Sequence, residues 1–163
     1  MMRLWLLLLL WGGVGWGWAA EGAPLRIEAD RVTLDEASGV SLYEGRVRAD
    51  QGPWHLQAER LRLYRSGERL VRVEAEGQPA VLVRDDTPPL EARARHIDYR
   101  LDQRRLILTG SARLNQGGDR FEGERIEYEL EQRRVIAEGG ESGGRVRVII
   151  APETLQSEEA ERR

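Results

Sequence analysis

The sequence predicts an all-β protein built from repeated antiparallel hairpins, as in a sandwich, a barrel or a jelly roll. One unit occurs four times, beginning at residues 29, 58, 94 and 123 with a small residue, two polar residues and an apolar alternation. Each copy then reaches a glycine, and these are Gly45, Gly77, Gly110 and Gly139. Turn-forming residues separate the short alternating runs, and no window has the pattern of a long amphipathic helix.

Residues 1–19 have the pattern of a signal peptide. Met1-Met2-Arg3 is followed by the apolar run 4–11, and Gly17-x-Ala19 fits the small-residue rule for cleavage after Ala19. Cleavage after Ala20 and an uncleaved membrane anchor are the alternatives. An exported chain without cysteine is typical of a bacterial periplasm, so we expect the protein there.

The folded domain is expected to span residues 24–152. Its first strand is predicted at 25–29 and continues through 30–34, and its last strand at 145–150 is stopped by Pro152. A long loop is predicted at 85–89 and a glycine-rich connector at 138–144. Residues 153–163 are charged and lack a strand pattern, which predicts a disordered tail.

The two-residue period of a strand divides the side chains into an apolar inner face and a charged outer face. By the same alternation, the repeated glycine falls on the inner face. Because glycine has no side chain, it permits a bend or a close backbone approach there. The inner face is compatible with an ordinary core or with a lipid groove, and its many small residues favour the groove. The predicted inner wall consists of Val32, Leu34, Leu61, Leu63, Val73, Ile97, Tyr99, Leu106, Leu108, Ile126 and Tyr128.

Both ends of the repeat array lack an evident cap. Either Arg145 and Arg147 protect the last strand from pairing, or the two terminal strands pair with other chains. Pairing of the last edge of one copy with the first edge of the next does not close, so it builds a head-to-tail homo-oligomer. The expected assembly edges contain Leu25, Ile27, Val146, Val148 and Ile150.

Few residues favour catalysis or cofactor binding. His55 and His96 lie in different copies without metal-ligand spacing, and neither a nucleophile elbow nor a phosphate loop occurs, so we expect no catalytic residue, metal or cofactor. Interspersed charges with a net charge of −3 argue against nucleic-acid binding. Paired carboxylates of the glycosidase type remain open among the 28 acids.

Several motifs in order resemble the periplasmic lipopolysaccharide-transport bridge proteins of Gram-negative bacteria, whose repeat is called the organic-solvent-tolerance (OstA-like) domain. The resemblance covers roughly residues 24–156. The matching motifs are Pro24-Leu25-x-Ile27-Glu28-Ala29-Asp30, Ala58-Glu59-Arg60, Gly77-Gln78-Pro79-Ala80, Leu108-Thr109-Gly110-Ser111-Ala112, Gly123-Glu124-Arg125-Ile126-x-Tyr128 and Arg145-Val146-x-x-Ile149-Ile150-x-Pro152.

The resemblance implies an open, twisted β-jellyroll that binds the lipid A part of lipopolysaccharide. It implies lipid contacts at Leu25, Ile27, Arg65 and Leu82, although Leu82 has the wrong parity unless the strand contains a bulge. It also implies an inner-membrane LptC-like partner and an outer-membrane LptD-like assembly partner. The alternatives are the membrane-anchored partner of the same pathway, a structural envelope polymer and a glycan-acting enzyme.

Overall fold

Ten β-strands form the part of the chain that the computed structural model describes, residues 22–152. The expected signal peptide and charged tail lie outside these residues. Within residues 22–152 no helix is long and apolar enough to cross a membrane. The strands are β1 Arg26–Glu28, β2 Arg31–Asp35, β3 Val40–Gln51, β4 Trp54–Ser66, β5 Arg69–Arg84, β6 Leu90–Arg100, β7 Arg105–Gln116, β8 Asp119–Glu129, β9 Arg134–Glu138 and β10 Arg147–Ile149.

All the strands belong to one open antiparallel sheet. The strands β3 to β8 pair in chain order, which confirms the predicted hairpins. Two short strands complete each edge: β1 and β2 both pair with β3, and β9 and β10 both pair with β8. The predicted first strand is therefore two separate strands, β1 and β2, because Ala29 and Asp30 do not take part in the strand pairing.

A line of bulges crosses every long strand near its middle and divides the sheet into two halves. The register shifts between Glu44 and Val47 in β3, and similar shifts follow in each pair from β4–β5 to β7–β8. The β1 half contains β1, β10 and the stretches 47–51, 54–58, 80–84, 90–94, 112–116 and 119–123. The β2 half contains β2, β9 and the stretches 40–44, 60–66, 69–76, 96–100, 105–109 and 125–129.

The repeated glycines lie on or beside this line. Gly45 and Gly110 have φ angles of 79° and 87°, a left-handed conformation that side chains disfavour. A Cβ atom at Gly45 would also overlap the Asp30 carboxylate, and one at Gly110 would overlap the Arg95 side chain. Glycine therefore suits these two positions, but the groups that approach it are the side chains of Asp30 and Arg95 rather than the backbone that was predicted.

The inner face consists of cross-strand rows of apolar side chains that pack into one core. In the β2 half, one row runs Leu61, Ala75, Ile97, Leu108, Ile126 and the next runs Leu63, Val73, Tyr99, Leu106, Tyr128. In the β1 half, the corresponding row is Ala49, Leu56, Leu82, Ala92, Leu114, Phe121. These side chains are buried or half-buried, so the predicted inner wall exists from β4 to β8.

The predicted inner wall is not buried at β2. Val32 pairs with Tyr43 and Leu34 pairs with Ser41, so both residues lie in the inner rows. Their exposed fractions are nevertheless 49% and 64%. The reason is that β2 is an edge strand, with no further strand beside it among residues 22–152.

The outer face of the β2 half carries a network of ion pairs centred on Asp98, whose side chain is only 7% exposed. Arg72 donates two hydrogen bonds to its carboxylate at 2.8 and 3.0 Å, and Arg100 donates one at 3.2 Å. Burial alone would raise the pKa of Asp98, but the bonds and charges of Arg72 and Arg100 outweigh burial and lower it. A pKa that is lowered by folding adds stability above the ordinary value of 3.8, and this stability is lost as pH falls through the folded value.

We predict that Asp98→Asn lowers the free energy of unfolding by about 1–3 kcal/mol at pH 7, because two guanidinium groups lose their charged partner. Urea unfolding measures this difference, which should shrink as the pH falls below the ordinary Asp pKa. Asp102→Asn is the control, because Asp102 is exposed in the turn between β6 and β7. Equal unfolding midpoints for Asp98→Asn and the wild type would contradict the prediction.

Candidate functional site

An apolar cavity of about 160 Å³ lies between the two half-sheets near the β1 edge. Its lining comes from both halves, which shows that their inner faces oppose each other. The β1 half contributes Ala49, Trp54, Leu56 and Leu82, and the β2 half contributes Leu61, Leu63, Leu70, Val73 and Tyr99. Leu25, which precedes β1, completes the lining on the edge side.

A second space of about 300 Å³ adjoins this cavity at the sheet edge. Leu25, Leu63 and Leu70 line both spaces, and we call the two adjoining spaces together the slot. Ile27 and Tyr43 add apolar surface at the mouth of the slot. The slot therefore extends from the β1–β2 edge toward the interior. The walls of its inner cavity are aliphatic and aromatic except for Gln51, a lining that suits an alkyl chain.

Leu82 reaches the slot because of a bulge in β5. The ladder between β5 and β6 shifts register between Glu76 and Ala80, at the Gly77-Gln78-Pro79 segment. The shift reverses the parity expected from Gly77, so Ala80 and Leu82 turn inward and are 0% and 7% exposed. The alternation of the sequence alone could not give this direction, because it does not count the extra residues of a bulge.

Arg65 is the basic residue at the mouth of the slot. It lies near the end of β4, and its backbone N–H donates to the Gly39 carbonyl at 2.9 Å, which fixes its position. Its side chain is exposed and makes no ion pair with any of residues 22–152. Glu68 is the acidic residue at the same mouth. An uncommitted guanidinium beside an apolar opening can bind a phosphate or carboxylate through two parallel hydrogen bonds.

The inner end of the slot is closed by aromatic residues from opposite halves. The Trp54 and Tyr99 rings stack with their centroids 5.7 Å apart at an interplanar angle of 28°. The Arg84 guanidinium lies 5.5 Å from the Trp54 ring centroid. Sequence reasoning gave Trp54 no role. Trp54 is the one tryptophan after the N-terminal segment, and this was the feature of the sequence that could have marked it as a candidate site residue.

The interior beyond this stack is filled. Leu90, Leu106 and Leu114 are at most 1% exposed. The Gln116 amide also donates a hydrogen bond to the Tyr128 hydroxyl, which joins the β1 half to the β2 half. The apolar cavity therefore lies at the end of the sheet that contains β1 and β2, and both half-sheets contribute to its walls.

Each of the two histidines lies beside acidic side chains. His55 contacts Asp50 at 2.6 Å and Asp85 at 3.3 Å, and the hydrogen bond with Asp50 is the main reason why its pKa is raised. His96 lies 3.9 Å from Glu76 on the outer face. Among the described residues, no group of three or more His, Asp or Glu side chains is arranged to hold a metal ion.

The four residues expected to contact lipid all line the slot. Leu25 lies where the mouth meets the cavity, Ile27 and Arg65 lie at the mouth, and Leu82 lies in the cavity. These residues come from three separate stretches of chain, which the open sheet brings to one edge. Their shared position satisfies the geometric condition for a common ligand, and ligand contact itself stays a prediction.

The fold has a close counterpart among solved structures. The crystal structure of LptH from Pseudomonas aeruginosa, the LptA-homologous periplasmic component of its lipopolysaccharide transport device, superposes with a TM-score of 0.71 at 29% identity. The match covers 80% of this chain and 96% of that one. The predicted open β-jellyroll is thereby confirmed.

Sequence relatives point to the same class of protein. The lipopolysaccharide export system protein LptA of Escherichia coli K12 is 28% identical over 137 residues, which cover 82% of this chain and 74% of that protein. The LptA protein of Haemophilus influenzae is 28% identical over 139 residues, covering 82% and 80% of the two chains. The LptH protein of Pseudomonas aeruginosa is 31% identical over 107 residues, covering 63% and 61%.

The fold and the relatives together define a lipopolysaccharide-transport domain of the open β-jellyroll type. The family model described as LptA/(LptD N-terminal domain) LPS transport protein matches residues 26–134. The chain belongs to this family.

Proposed function

We propose that the chain is a periplasmic lipopolysaccharide carrier that holds the acyl chains of lipid A in the slot. The observation that carries this proposal is the apolar cavity between the half-sheets, which opens at the β1 edge. A carrier must shield hydrocarbon from water without binding it too tightly to release. A slot of aliphatic and aromatic side chains does this, because apolar contact is non-directional and lacks bonds that must be broken for release.

Arg65 gives the slot a polar contact at its mouth. A phosphate of lipid A, held at the entrance while the acyl chains lie inside, would meet a guanidinium without a competing ion pair among residues 22–152. Leu25, Ile27 and Leu82 would contact the acyl chains. This division of the site matches an amphiphile, whose anionic head and apolar tail need different surroundings.

The two open edges extend this function beyond one molecule. We expect copies to join head to tail through the β1 edge, with Leu25 and Ile27, and the β10 edge, with Val146, Val148 and Ile150. An LptC-like protein at the inner membrane and an LptD-like protein at the outer membrane would pair with the same kinds of edges. Lipopolysaccharide would then move along a line of slots, and nothing in this process requires a catalytic residue.

Photo-crosslinking to purified lipopolysaccharide tests the site. A photoreactive amino acid placed at Leu25, Ile27, Arg65 or Leu82 should label lipopolysaccharide, because these positions line the slot. Arg26 and Val83 are matched controls, because both lie in the outer-face row of the β1 half, with Asp50 and His55 between them. Labelling at the control positions as strong as at the slot positions would overturn the proposed site.

A further inference from the structure

The glycine-rich connector between β9 and β10 projects from the sheet. β9 ends at Glu138, which follows the pairing of β9 with β8 up to Arg125, and β10 begins at Arg147, which pairs with Glu122. Positions 122 and 125 are close together on β8, whereas the connector that joins the two short strands is the longer stretch 139–146. This extra length must leave the plane of the sheet, so the connector forms a loop beside β8.

Close backbone contacts hold the connector in one shape. A Cβ atom at Gly139 would overlap the Gly144 carbonyl, so the two ends of the loop approach more closely than side chains permit. The Gly143 N–H donates a hydrogen bond to the Gly140 carbonyl at 3.2 Å, which closes a turn between them. The glycines that the sequence places here therefore build a compact loop with accessible backbone groups.

A cavity of about 760 Å³ lies between this loop and the strands β7, β8 and β10, and we call it the connector pocket. Its lining combines the hydroxyl groups of Ser111 and Ser142 with glycine backbone, three arginines and two glutamates, and none of its lining residues is aromatic. No residue lines both the connector pocket and the slot. The chain thus has a polar pocket that is separate from its apolar one.

The three arginines of the connector pocket share one carboxylate. Arg113 lies 3.0 Å and Arg147 lies 3.4 Å from the Glu122 carboxylate, which stands between them in the outer-face row. Arg145 lines the same pocket and makes no ion pair with any of residues 22–152. One negative charge therefore serves three positive ones.

The second carboxylate of the pocket does not change this balance. Glu124 lies 3.1 Å from Arg95, which is not part of the lining, and it also accepts a hydrogen bond from the Ser111 N–H at 3.3 Å. Because Arg95 already neutralises Glu124, the three arginines of the lining keep their excess of positive charge. The pocket therefore favours an anionic ligand.

The remaining groups of the lining specify more than a simple anion. A guanidinium group binds a phosphate through two parallel hydrogen bonds. Serine hydroxyls, carboxylate oxygens and glycine backbone groups offer further donors and acceptors, which match the hydroxyl groups of a sugar. The polar lining would leave an alkyl chain without apolar contacts, and a nucleotide base would find no ring on which to stack.

We propose that the connector pocket binds a phosphorylated sugar. The phosphate lies against Arg145 and Arg147, and the sugar hydroxyls contact the serines, the glutamates and the connector backbone. The saccharide part of lipopolysaccharide and a free sugar phosphate both carry this chemistry. Because the pocket and the slot have no residue in common, the inference does not rest on the proposed lipid site.

Calorimetric titration of the purified chain with glucose 6-phosphate tests the site. Arg145→Gln should weaken binding by about tenfold, because the phosphate loses its charge-assisted hydrogen bonds. The fold should be unaffected, because Arg145 is exposed and makes no ion pair among the described residues. Arg133→Gln is the matched control, an exposed change of the same charge in the turn between β8 and β9. Equal losses in the two variants would overturn the assignment.

Two simpler probes test the chemistry of the ligand. Glucose, which lacks the phosphate, should bind much more weakly than glucose 6-phosphate, and inorganic phosphate should also bind more weakly. Inorganic phosphate that binds as tightly as glucose 6-phosphate would show a site for anions only and would overturn the sugar part of the inference. Glucose that binds as tightly would overturn the role of the arginines.

Nuclear magnetic resonance locates the ligand. Glucose 6-phosphate should shift the amide signals of Gly140, Ser142 and Gly144, which line the pocket. Shifts at the slot mouth, with none in the connector, would overturn the inference. The lipid-free phosphorylated saccharide of lipopolysaccharide is the second probe. Tighter binding of this saccharide than of glucose 6-phosphate would assign the pocket to the carried lipopolysaccharide, and the reverse order would assign it to free sugar phosphates. Failure of both probes to bind would overturn the connector pocket and leave the slot as it stands.

Discussion

Leu25→Asp should weaken lipopolysaccharide binding by about 10- to 100-fold, which corresponds to roughly 1.4–2.8 kcal/mol. Leu25 lies where the mouth of the slot meets the cavity, and an acyl chain that enters there would remove water from the new carboxylate. Burying an unpaired charge is costly, so the bound state loses free energy. The fold should survive, because Leu25 is 39% exposed in the free chain.

Titration of the purified variant with lipopolysaccharide measures this change, and circular dichroism checks the fold. Arg26→Asp is a demanding control, because it makes the net charge more negative than Leu25→Asp does while pointing to the outer face. If repulsion between the protein and an anionic ligand were the cause, Arg26→Asp would weaken binding more. Unchanged binding by Leu25→Asp would remove the slot as the lipid site.

Deletion of residues 145–163 should abolish self-assembly and leave a folded monomer. The deletion removes β10, whose unpaired edge holds the apolar side chain of Val148, 47% exposed. In the proposed assembly this edge joins the β1 edge of the next copy, so its removal takes away the strand with which β1 would pair. The buried rows from β4 to β8 stay intact, so the monomer keeps its core.

Analytical ultracentrifugation at concentrations where the full chain forms oligomers measures the result. Deletion of residues 153–163 alone is the matched control, because it shortens the chain and keeps β10. This control variant should assemble like the full chain. Persistent oligomers after the longer deletion would show that the β10 edge is not the site of assembly.

Much of the fold could be predicted because the repeat, the two-residue alternation and the turns point to one sheet. The inner rows from Leu61 to Tyr128 follow from parity, since side chains on a strand can face only two ways. Parity could not predict the exposure of β2, because Val32 and Leu34 alternate as core residues do. Whether such residues are covered depends on what lies beside the strand, which is a property of the neighbours and not of the pattern.

The candidate site was harder to predict for a related reason. Leu82 faces the slot only because of the bulge after Glu76, and extra residues in one strand leave no trace in local alternation. The stack of Trp54 on Tyr99 joins residues 45 positions apart, on opposite half-sheets. Asp98 has outward parity but is almost fully buried, because Arg72 and Arg100 cover it. These three features depend on contacts between different strands, which the residue pattern of one strand does not reveal.

The bulge line makes the sheet a hinge. Each half keeps its own regular ladder of backbone hydrogen bonds, whereas the ladder is interrupted along one line through all the long strands. We expect resistance to bending to be lowest along that line, so that the angle between the halves can change while every strand stays paired. Because the slot lies between the two halves, we expect its width to change with this angle. If the slot holds acyl chains as proposed, one scaffold could then accommodate different numbers of them.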